Sequence, residues 1–334
     1  MNYALFKHTQ SNMGLVNIGD HIQSCAAEQY LPRVNTYVGR DNLNSDIPSE
    51  AKIIMNGWFT DAPYNWPPNP KLKPLFVSFH LQPSSAKIIL SKQENIDYFK
   101  SHEPIGCRDY KTVRLLEEKD IKAYFSFCLT ATLDKKYKSD LKSGEILLVD
   151  PLYSYDFSLL YKMSLKKALS EISFKKLRKL KNYFRPSSNI KDFIPIDILD
   201  KAISINHYVS SNQENRDLYI KAKSLLKRYA EAKLVITSRI HCALPCLALG
   251  TPVLFVLDGL KDESLHMSRF RGILDHINIL TNDTKKDIVR LFKKPMNVYS
   301  PDEIDWENPP KNPESYKELS NKLKQTCSKF IDEH

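Results

Sequence analysis

The sequence predicts an α/β protein with two Rossmann-like domains and a cleft between them. Short apolar runs alternate with helix-like patterns along the chain, which is typical of parallel sheets covered by helices. At 334 residues the chain is too long for one compact core and fits two domains of ordinary size. A hydrophobic fraction of 42% and a charged fraction of 26% are typical of globular proteins.

The N-terminal domain is predicted to span residues 1–150. It contains three apolar runs of strand length, at 51–56, 75–79 and 146–149. Runs of this length between turn residues indicate buried strands of a mainly parallel sheet. The pattern of residues 110–119, between the second and third runs, is helical.

The C-terminal domain is predicted to span residues 151–300, and a second alternating set of elements begins near Phe193. Its clearest pieces are a helix at 214–232, a strand at 234–237, a helix at 239–249, a strand at 253–257 and a further strand within 273–280. Residues 300–313 are predicted to form a proline-rich linker. The amphipathic helix predicted at 314–330 is expected to pack back on the first domain.

A formal net charge of +10 indicates an anionic partner, such as a sugar phosphate, a nucleic acid or a membrane surface. Residues 157–185 interleave lysines and arginines with aliphatic and aromatic residues at helical spacing, which predicts a basic amphipathic insertion. Two interpretations stay open: contact with an anionic membrane surface, or a solvated helix packed on the second domain. Nucleic-acid binding is not expected, because no recognised nucleic-acid module accompanies the patch.

The lack of a recognisable targeting signal and the scattered cysteines predict a cytoplasmic protein in a reducing compartment. The chain shows no signal peptide and no apolar run long enough to span a bilayer. Its six cysteines are scattered, and the one close pair, Cys242 and Cys246, falls on an apolar helix and is expected to be buried thiols. No zinc-ligand spacing occurs, so no metal site is predicted.

The most informative segment is residues 234–256, a strand, a turn, a short apolar helix and another strand. The turn places Arg239 and His241 at a helix N-terminus, at the carboxyl end of a strand. Backbone N–H groups and the helix dipole favour an anion there, and open α/β sheets bind ligands at this edge. The segment therefore predicts a phosphate- or carboxylate-sized site with a titratable group beside it.

Two other segments suit the same ligand. Asn17, Gly19 and Asp20 precede a helix, with Asp20 as the expected N-cap, Gln23 completing a capping box, and Gly19 as a point of close ligand approach; a plain capped helix is the alternative. Arg108 follows Gly106, which is expected to break the chain, and precedes Asp109, a possible cap. An arginine so placed can grip a carboxylate or phosphate bidentately, although an Arg108–Asp109 structural pair is also possible.

Three further residues are candidates for ligand contact, each with a structural alternative: His80 at the end of an apolar strand, His207, and Arg269. The glycine-rich loops that hold nucleotides and the nucleophile elbow of hydrolases are absent, and no cofactor is predicted. The chemistry is therefore expected to use arginine electrostatics and histidine proton transfer.

Seven motifs in order resemble the polysaccharide pyruvyl transferase family over about residues 12–280. They are NIGDHIQS, NGW, PIGCRDYKT, AYFSFCLTATL, ENR, VITSRIHCALPCLALGTPV and SRFRGILDH. The resemblance implies a fold like that of the GT-B glycosyltransferases, and transfer of pyruvate from phosphoenolpyruvate (PEP) to two sugar hydroxyls as a cyclic ketal. The resemblance implies that Arg108, Arg239 and His241 bind PEP, and that the Ile240 N–H and Arg269 also contact it. Arg271 departs from the small residue expected before Gly272.

The implied acceptor is a sugar diol, with the galactose 4,6-hydroxyls of a polyprenyl-diphosphate-linked oligosaccharide as the first expectation and N-acetylmannosamine or glucose as alternatives. That setting predicts a protein held peripherally at the inner face of the cell membrane, making capsule or exopolysaccharide. One alternative is a glycosyltransferase of the same architecture, with Glu263 or Asp275 holding the ribose of a nucleotide sugar. Another is a non-catalytic lipid- or polysaccharide-binding protein.

Overall fold

The computed structural model describes residues 1–8, 14–152, 190–210, 212–261 and 266–333. Within these ranges the chain is a mixed α/β protein with two large sheets of parallel strands and one small antiparallel pair. The predicted α/β class with Rossmann-like sheets is confirmed at that level. The basic amphipathic segment at 157–185 lies outside the described residues.

The apolar runs predicted from the sequence all become strands, and shorter strands lie between them. The strands are β1 (Asn2–Lys7), β2 (Leu15–Asn17), β3 (Thr36–Gly39), β4 (Ala51–Phe59), β5 (Leu72–Leu81), β6 (Ile105–Cys107), β7 (Ala123–Phe125), β8 (Ile146–Val149), β9 (Ile203–Ile205), β10 (Tyr208–Ser210), β11 (Leu234–Thr237), β12 (Val253–Val256), β13 (Asn278–Leu280) and β14 (Val298–Tyr299).

The helices follow the strands in the alternation that the sequence predicts. They are α1 (Ile18–Glu28), α2 (Pro83–Ile89), α3 (Gln93–Lys100), α4 (Tyr110–Glu117), α5 (Asp134–Tyr137), α6 (Ile196–Lys201), α7 (Asn215–Glu231), α8 (Ile240–Leu249), α9 (Ser268–Phe270), α10 (Lys285–Phe292) and α11 (Lys317–Asp332). Short 3-10 helices lie at 63–65, 129–132, 190–192, 274–276 and 301–303.

The two sheets have the same strand order. The first runs β3-β1-β4-β5-β6-β7 and the second runs β9-β8-β11-β12-β13-β14. In each sheet, the strand that comes first in the chain (β1 or β8) lies second from the edge. The next strand of that sheet (β3 or β9) forms the edge beside it, and the remaining strands follow in order on its other side. The order therefore reverses between β1 and β4 and between β8 and β11. In open α/β sheets such reversals mark where ligands bind, at the carboxyl ends of the strands.

Strand β8 lies in a different sheet from the one expected. Its sequence was grouped with the first set of strands, but it pairs with β11 and β9 in the second sheet. All four residues of the apolar run ILLV are buried, as expected for a strand inside a parallel sheet. Such a run predicts a buried strand but does not predict which strands flank it. Its position places Asp150 at the reversal point of the second sheet.

Helix α8, formed by the apolar sequence at residues 240–249, is buried on nearly all sides. Its residues after His241 are buried up to Leu249, including both thiols of Cys242 and Cys246. Gly250 ends the helix in the left-handed conformation, with φ 75°. A helix that is apolar on every side must be covered on every side, so its N-terminus is held firmly in place.

The two halves of the chain also contact each other directly. Strand β2 pairs antiparallel with β10, joining Asn17 to Tyr208. The last helix, α11, lies against the first half, where the buried Lys52 Nζ donates to the carbonyl oxygens of Phe330, at 2.6 Å, and Glu333. None of the described helices is both long and apolar enough to cross a bilayer.

Candidate active site

The turn before α8 is held rigidly by two hydroxyl groups. The Thr237 hydroxyl donates to the Val149 carbonyl at 2.6 Å and accepts from the Arg239 N–H at 2.9 Å. The Ser238 Oγ lies 2.7 Å from the carbonyl oxygens of Pro151 and Val256. Both hydroxyls thus tie the end of β11 to the strands on either side. These hydrogen bonds restrict the backbone of the turn that carries Arg239.

His241 sits at a distortion in the first turn of α8. Its backbone is non-helical, with φ −84° and ψ 15°, and Pro245 follows four residues later. Proline has no N–H to donate to the carbonyl four residues before it, and its ring crowds that carbonyl. Pro245 therefore explains why the helix is irregular at the residue that carries the imidazole.

Arg239 is the N-cap residue of α8, and its side chain is fixed on two sides. Its Nε donates to the Asp150 carboxylate at 3.0 Å, and its guanidinium carbon lies 4.9 Å from the centre of the Tyr208 ring. Asp150 also accepts from the His207 N–H at 3.2 Å. The predicted arginine is therefore partnered by an acid at the reversal point of the second sheet, a partner that no local sequence motif marks.

Arg108 leaves the carboxyl end of β6 and is almost wholly buried, at 1% exposure. Its Nη1 donates to the Gln23 Oε1 at 3.0 Å and to the His241 Nε2 at 3.1 Å. Its Nε and Nη2 have no hydrogen-bond partner, and no carboxylate lies within ion-pair distance, among the residues that the structure describes. Burial lowers the pKa of the guanidinium, because the charged form loses its hydration and has no carboxylate in contact to replace it.

The structure separates Arg108 from Asp109, so the alternative of a mutual structural pair is not what it shows. Asp109 is the N-cap of α4 and accepts from the Thr112 N–H at 2.9 Å, as expected for a cap. Gly106, in contrast, does not break the chain, because it lies inside β6. A Cβ there would lie 2.8 Å from the Phe76 carbonyl oxygen, so close packing of the backbone requires glycine.

A chain of hydrogen-bonded polar side chains runs from Arg108 through Gln23 and Asp20 to Arg40. The Gln23 Nε2 donates to the Asp20 carboxylate at 3.0 Å, and Asp20 pairs with the buried Arg40 at 3.4 Å. Asp20 is therefore not the N-cap of α1: Asn17 is, and its side chain accepts from the Gly19 N–H at 3.0 Å. Gln23 and Arg40 were missed as site residues, since a capping box explained the first and no local motif marked the second.

The N-termini of α1 and α8 meet at the site. A Cβ added to Gly19 would lie 3.3 Å from the Cβ of His241, so glycine allows the two helices to approach this closely. Helix α8 begins at the reversal point of the second sheet, and α1 follows β2, which pairs with β10. The dipoles of both helices favour negative charge at the place where Arg108 and His241 touch.

Arg269 adds positive charge from the second half of the chain. Its Nε is buried without a hydrogen-bond partner, and it forms no ion pair with any described residue. Gly272, with φ 87°, packs this segment against the Tyr110 and Phe125 rings, where a Cβ would lie 2.8 and 2.9 Å away. The neighbouring Arg271 instead donates to the Leu291 carbonyl at 3.1 Å.

The other two histidines have different surroundings. The His80 Nδ1 lies 2.5 Å from the Asp109 carboxylate, and both side chains are buried. The His207 Nε2 lies 2.6 Å from the Tyr229 hydroxyl in the core, and burial together with the charge of Arg239 lowers the pKa of His207 to about 3. The Nε2 of His207 is thus occupied by a core contact.

His241 is neutral in this arrangement. Because Arg108 can only donate, the His241 Nε2 must accept, and the ring proton is then on Nδ1. Burial lowers the pKa of His241 well below its usual range, and the charges of Arg108 and Arg269 lower it further. An anion placed among these cations would oppose that effect and favour the protonated imidazole.

Two acids are candidates for holding the ribose of a nucleotide sugar. Asp275 pairs with Lys294, and Glu263 lies outside the described residues. No group of acidic, histidine or cysteine side chains suited to a metal ion occurs within the described ranges.

Comparison with known proteins agrees with the arrangement of these motifs. The model of the polysaccharide pyruvyl transferase family matches residues 17–258, which include α1, Arg108, Arg239 and His241. No curated protein and no solved structure matches the chain. The family match covers most of the 334 residues. The chain therefore belongs to the polysaccharide pyruvyl transferase family.

Proposed function

We propose that this protein transfers pyruvate from PEP to two hydroxyls of one sugar, forming a cyclic ketal and releasing phosphate. The observation that carries the proposal is Arg108: a cation at 1% exposure, with Nε and Nη2 unpartnered among the described residues, in contact with an imidazole. A buried cation without a counter-ion is costly. An anionic substrate that completes its hydrogen bonds accounts for why it is there.

PEP suits this site because it has a phosphate and a carboxylate on three carbons. Of the arginines at the site, Arg108 and Arg269 pair with no described acid, and the dipoles at the N-termini of α1 and α8 add positive potential. Arg239, already held by Asp150, supplies a fixed third charge, and the Ile240 N–H opens α8 beside it. In this proposal the two sheets form two lobes of a GT-B-like fold, with PEP between them.

The reaction needs one proton at the methylene carbon of PEP and removes one proton from each hydroxyl. The first hydroxyl attacks C2 and loses its proton to a base, while the C2=C3 electron pair takes a proton at C3, giving a methyl group. The C2–O bond to phosphate then breaks, and phosphate leaves with the bonding electrons. The second hydroxyl attacks C2 to close the ring, and its proton goes to the departing phosphate.

His241 is the proposed proton donor to C3. In the ligand-free arrangement it is neutral and accepts from Arg108. The negative charge of PEP draws the Arg108 guanidinium and raises the imidazole pKa, so substrate binding itself makes the acid available. Arg108, Arg239 and Arg269 then stabilise the phosphate as it leaves, since their positions are fixed before the reaction begins.

The acceptor completes the proposal. A galactose with free 4- and 6-hydroxyls, on a polyprenyl-diphosphate oligosaccharide at the inner face of the membrane, would explain a protein of formal charge +10 with a basic segment at 157–185. Replacing Lys175, Lys176, Lys179 and Lys181 with glutamine should weaken binding to anionic vesicles. Unchanged co-sedimentation would reject the membrane contact and leave the reaction untouched.

The test of the reaction is direct. The protein is incubated with PEP and a panel of aryl- or lipid-linked sugars, and phosphate release is measured together with the mass of the sugar. We expect acceptor-dependent phosphate release and a product carrying one pyruvate ketal. Release of a nucleotide from a sugar nucleotide, with no consumption of PEP, would show a glycosyltransferase instead. No turnover of either donor with any sugar would indicate a binding protein.

A further inference from the structure

His80 lies beside Arg108 at the edge of the first sheet. Phe79 pairs with Cys107 in the parallel register of β5 and β6, and the Arg108 N–H donates to the Phe79 carbonyl at 2.9 Å. His80, the next residue within β5, and Arg108, the first residue after β6, therefore lie side by side. At 2% exposure His80 is as deeply buried as its neighbour.

Asp109 fixes the imidazole of His80. Its carboxylate lies 2.5 Å from the His80 Nδ1 and is itself held by the Thr112 N–H at 2.9 Å and by the Thr112 hydroxyl at 3.1 Å. A carboxylate at Nδ1 favours the tautomer with its proton there, which leaves a lone pair on Nε2. The Nε2 of His80 has no hydrogen-bond partner among the described residues. This base with an orienting acid is the arrangement that activates hydroxyl groups in other enzymes.

The proposed reaction calls for such a group. His241 must give a proton to C3 in the step in which the sugar hydroxyl loses one, and one imidazole cannot be acid and base at once. The acid and the base must therefore be two different groups. His241 belongs to α8 of the second half, and His80 belongs to β5 of the first half, with Arg108 adjacent to both.

We propose that His80, oriented by Asp109, is the general base that accepts the proton of the attacking sugar hydroxyl; this rests on the proposed function. The hydroxyl O–H bond breaks, an N–H bond forms at Nε2, and the oxygen bonds to C2 as His241 protonates C3. After phosphate leaves, His80 returns its proton to water and His241 takes one up.

The charge state of His80 suits this role. Burial lowers its pKa, and the neighbouring charge of Asp109 opposes that shift. Arg108 and Arg269 lower it further, so the imidazole is neutral near pH 7 and able to accept a proton.

His80→Asn is the sharpest test, because the asparagine amide can keep the donor to Asp109 while removing the base. We expect PEP binding to stay within about threefold and ketal turnover to fall by about 10²–10⁴. The loss should shrink with a fluorinated acceptor whose reacting hydroxyl is more acidic, which a structural role would not produce. His102→Gln, a histidine of the same half at the end of α3, should behave like the wild type.

The outcomes are distinct. If wild-type protein releases no phosphate from PEP with any acceptor, the proposed function fails before His80 is tested. If wild-type protein forms the ketal and His80→Asn retains turnover within about threefold, His80 is not the base. If His80→Asn and His80→Gln both lose PEP binding, or fail to fold as judged by circular dichroism, the pair is structural and the proposal is overturned.

Discussion

Replacing Arg108 with methionine should weaken PEP binding strongly while leaving the fold intact. The change removes the unpartnered Nε and Nη2 donors and keeps most of the side-chain volume. Two charge-assisted hydrogen bonds contribute about 1.5–3 kcal/mol each, so losing both costs about 3–6 kcal/mol of binding free energy. That range corresponds to a Kd for PEP raised by about 10²–10⁴.

Ligand-induced thermal stabilisation measures this effect without needing the acceptor. PEP at 100 times its Kd stabilises the wild-type fold by about 2.7 kcal/mol. With about 2.1 cal/mol/K of unfolding entropy per residue, 334 residues give about 0.7 kcal/mol/K, so the wild-type Tm should rise by about 4 °C. For Arg108→Met at the same PEP concentration the rise should be below about 1 °C.

A matched control is Arg114→Met, which replaces an exposed arginine on α4 and should show the full wild-type rise. If Arg108→Met keeps that rise, Arg108 does not contact the substrate. The explanation of its burial through an anionic ligand is then wrong.

Three further outcomes are expected. His241→Ala should lower turnover at least about a hundredfold while the protein stays folded, as measured by steady-state phosphate release and circular dichroism; near-wild-type turnover would exclude it as the proton donor. Gly106→Ala should cost about 2 kcal/mol or more of unfolding free energy in urea titrations, because its Cβ would overlap the Phe76 carbonyl oxygen at 2.8 Å; an unchanged midpoint would contradict the packing argument. His207 has a pKa lowered to about 3, so the unfolded chain takes up a proton below about pH 6.5 that the folded protein refuses, and stability falls with pH. From pH 6.5 to 5 this costs about 1.5 kcal/mol, which His207→Gln should abolish.

Local sequence signals predicted those parts of the site that depend on neighbours along the chain. The strand at 234–237 and the helix after it follow from an apolar run, a turn and Gly250, all within one segment. The Asp109 cap likewise depends on Thr112, three residues away. In both cases the interaction that fixes the geometry lies within the segment that carries the motif.

The contacts missed from the sequence join distant segments. Gln23 reaches Arg108 across 85 positions, and Asp150 reaches Arg239 across 89. The strand at 146–149 was grouped with the wrong neighbours for the same reason, since its pairing with β11 is not encoded in its own four residues. The helix-capping pattern at Asp20 was misread because Asp20 is held by Arg40, a residue with no motif around it.

The acids of the site explain why Arg108 stays available to a substrate. Asp20 is held by Arg40 and Gln23, Asp109 by Thr112 and His80, and Asp150 by Arg239. Each carboxylate that could neutralise the buried guanidinium is committed to another partner, and each is anchored near a helix N-terminus or strand end that cannot shift independently. The fold thus maintains a guanidinium with no carboxylate in contact where two helix N-termini meet, and in the proposed function PEP brings the negative charge that pairs with it.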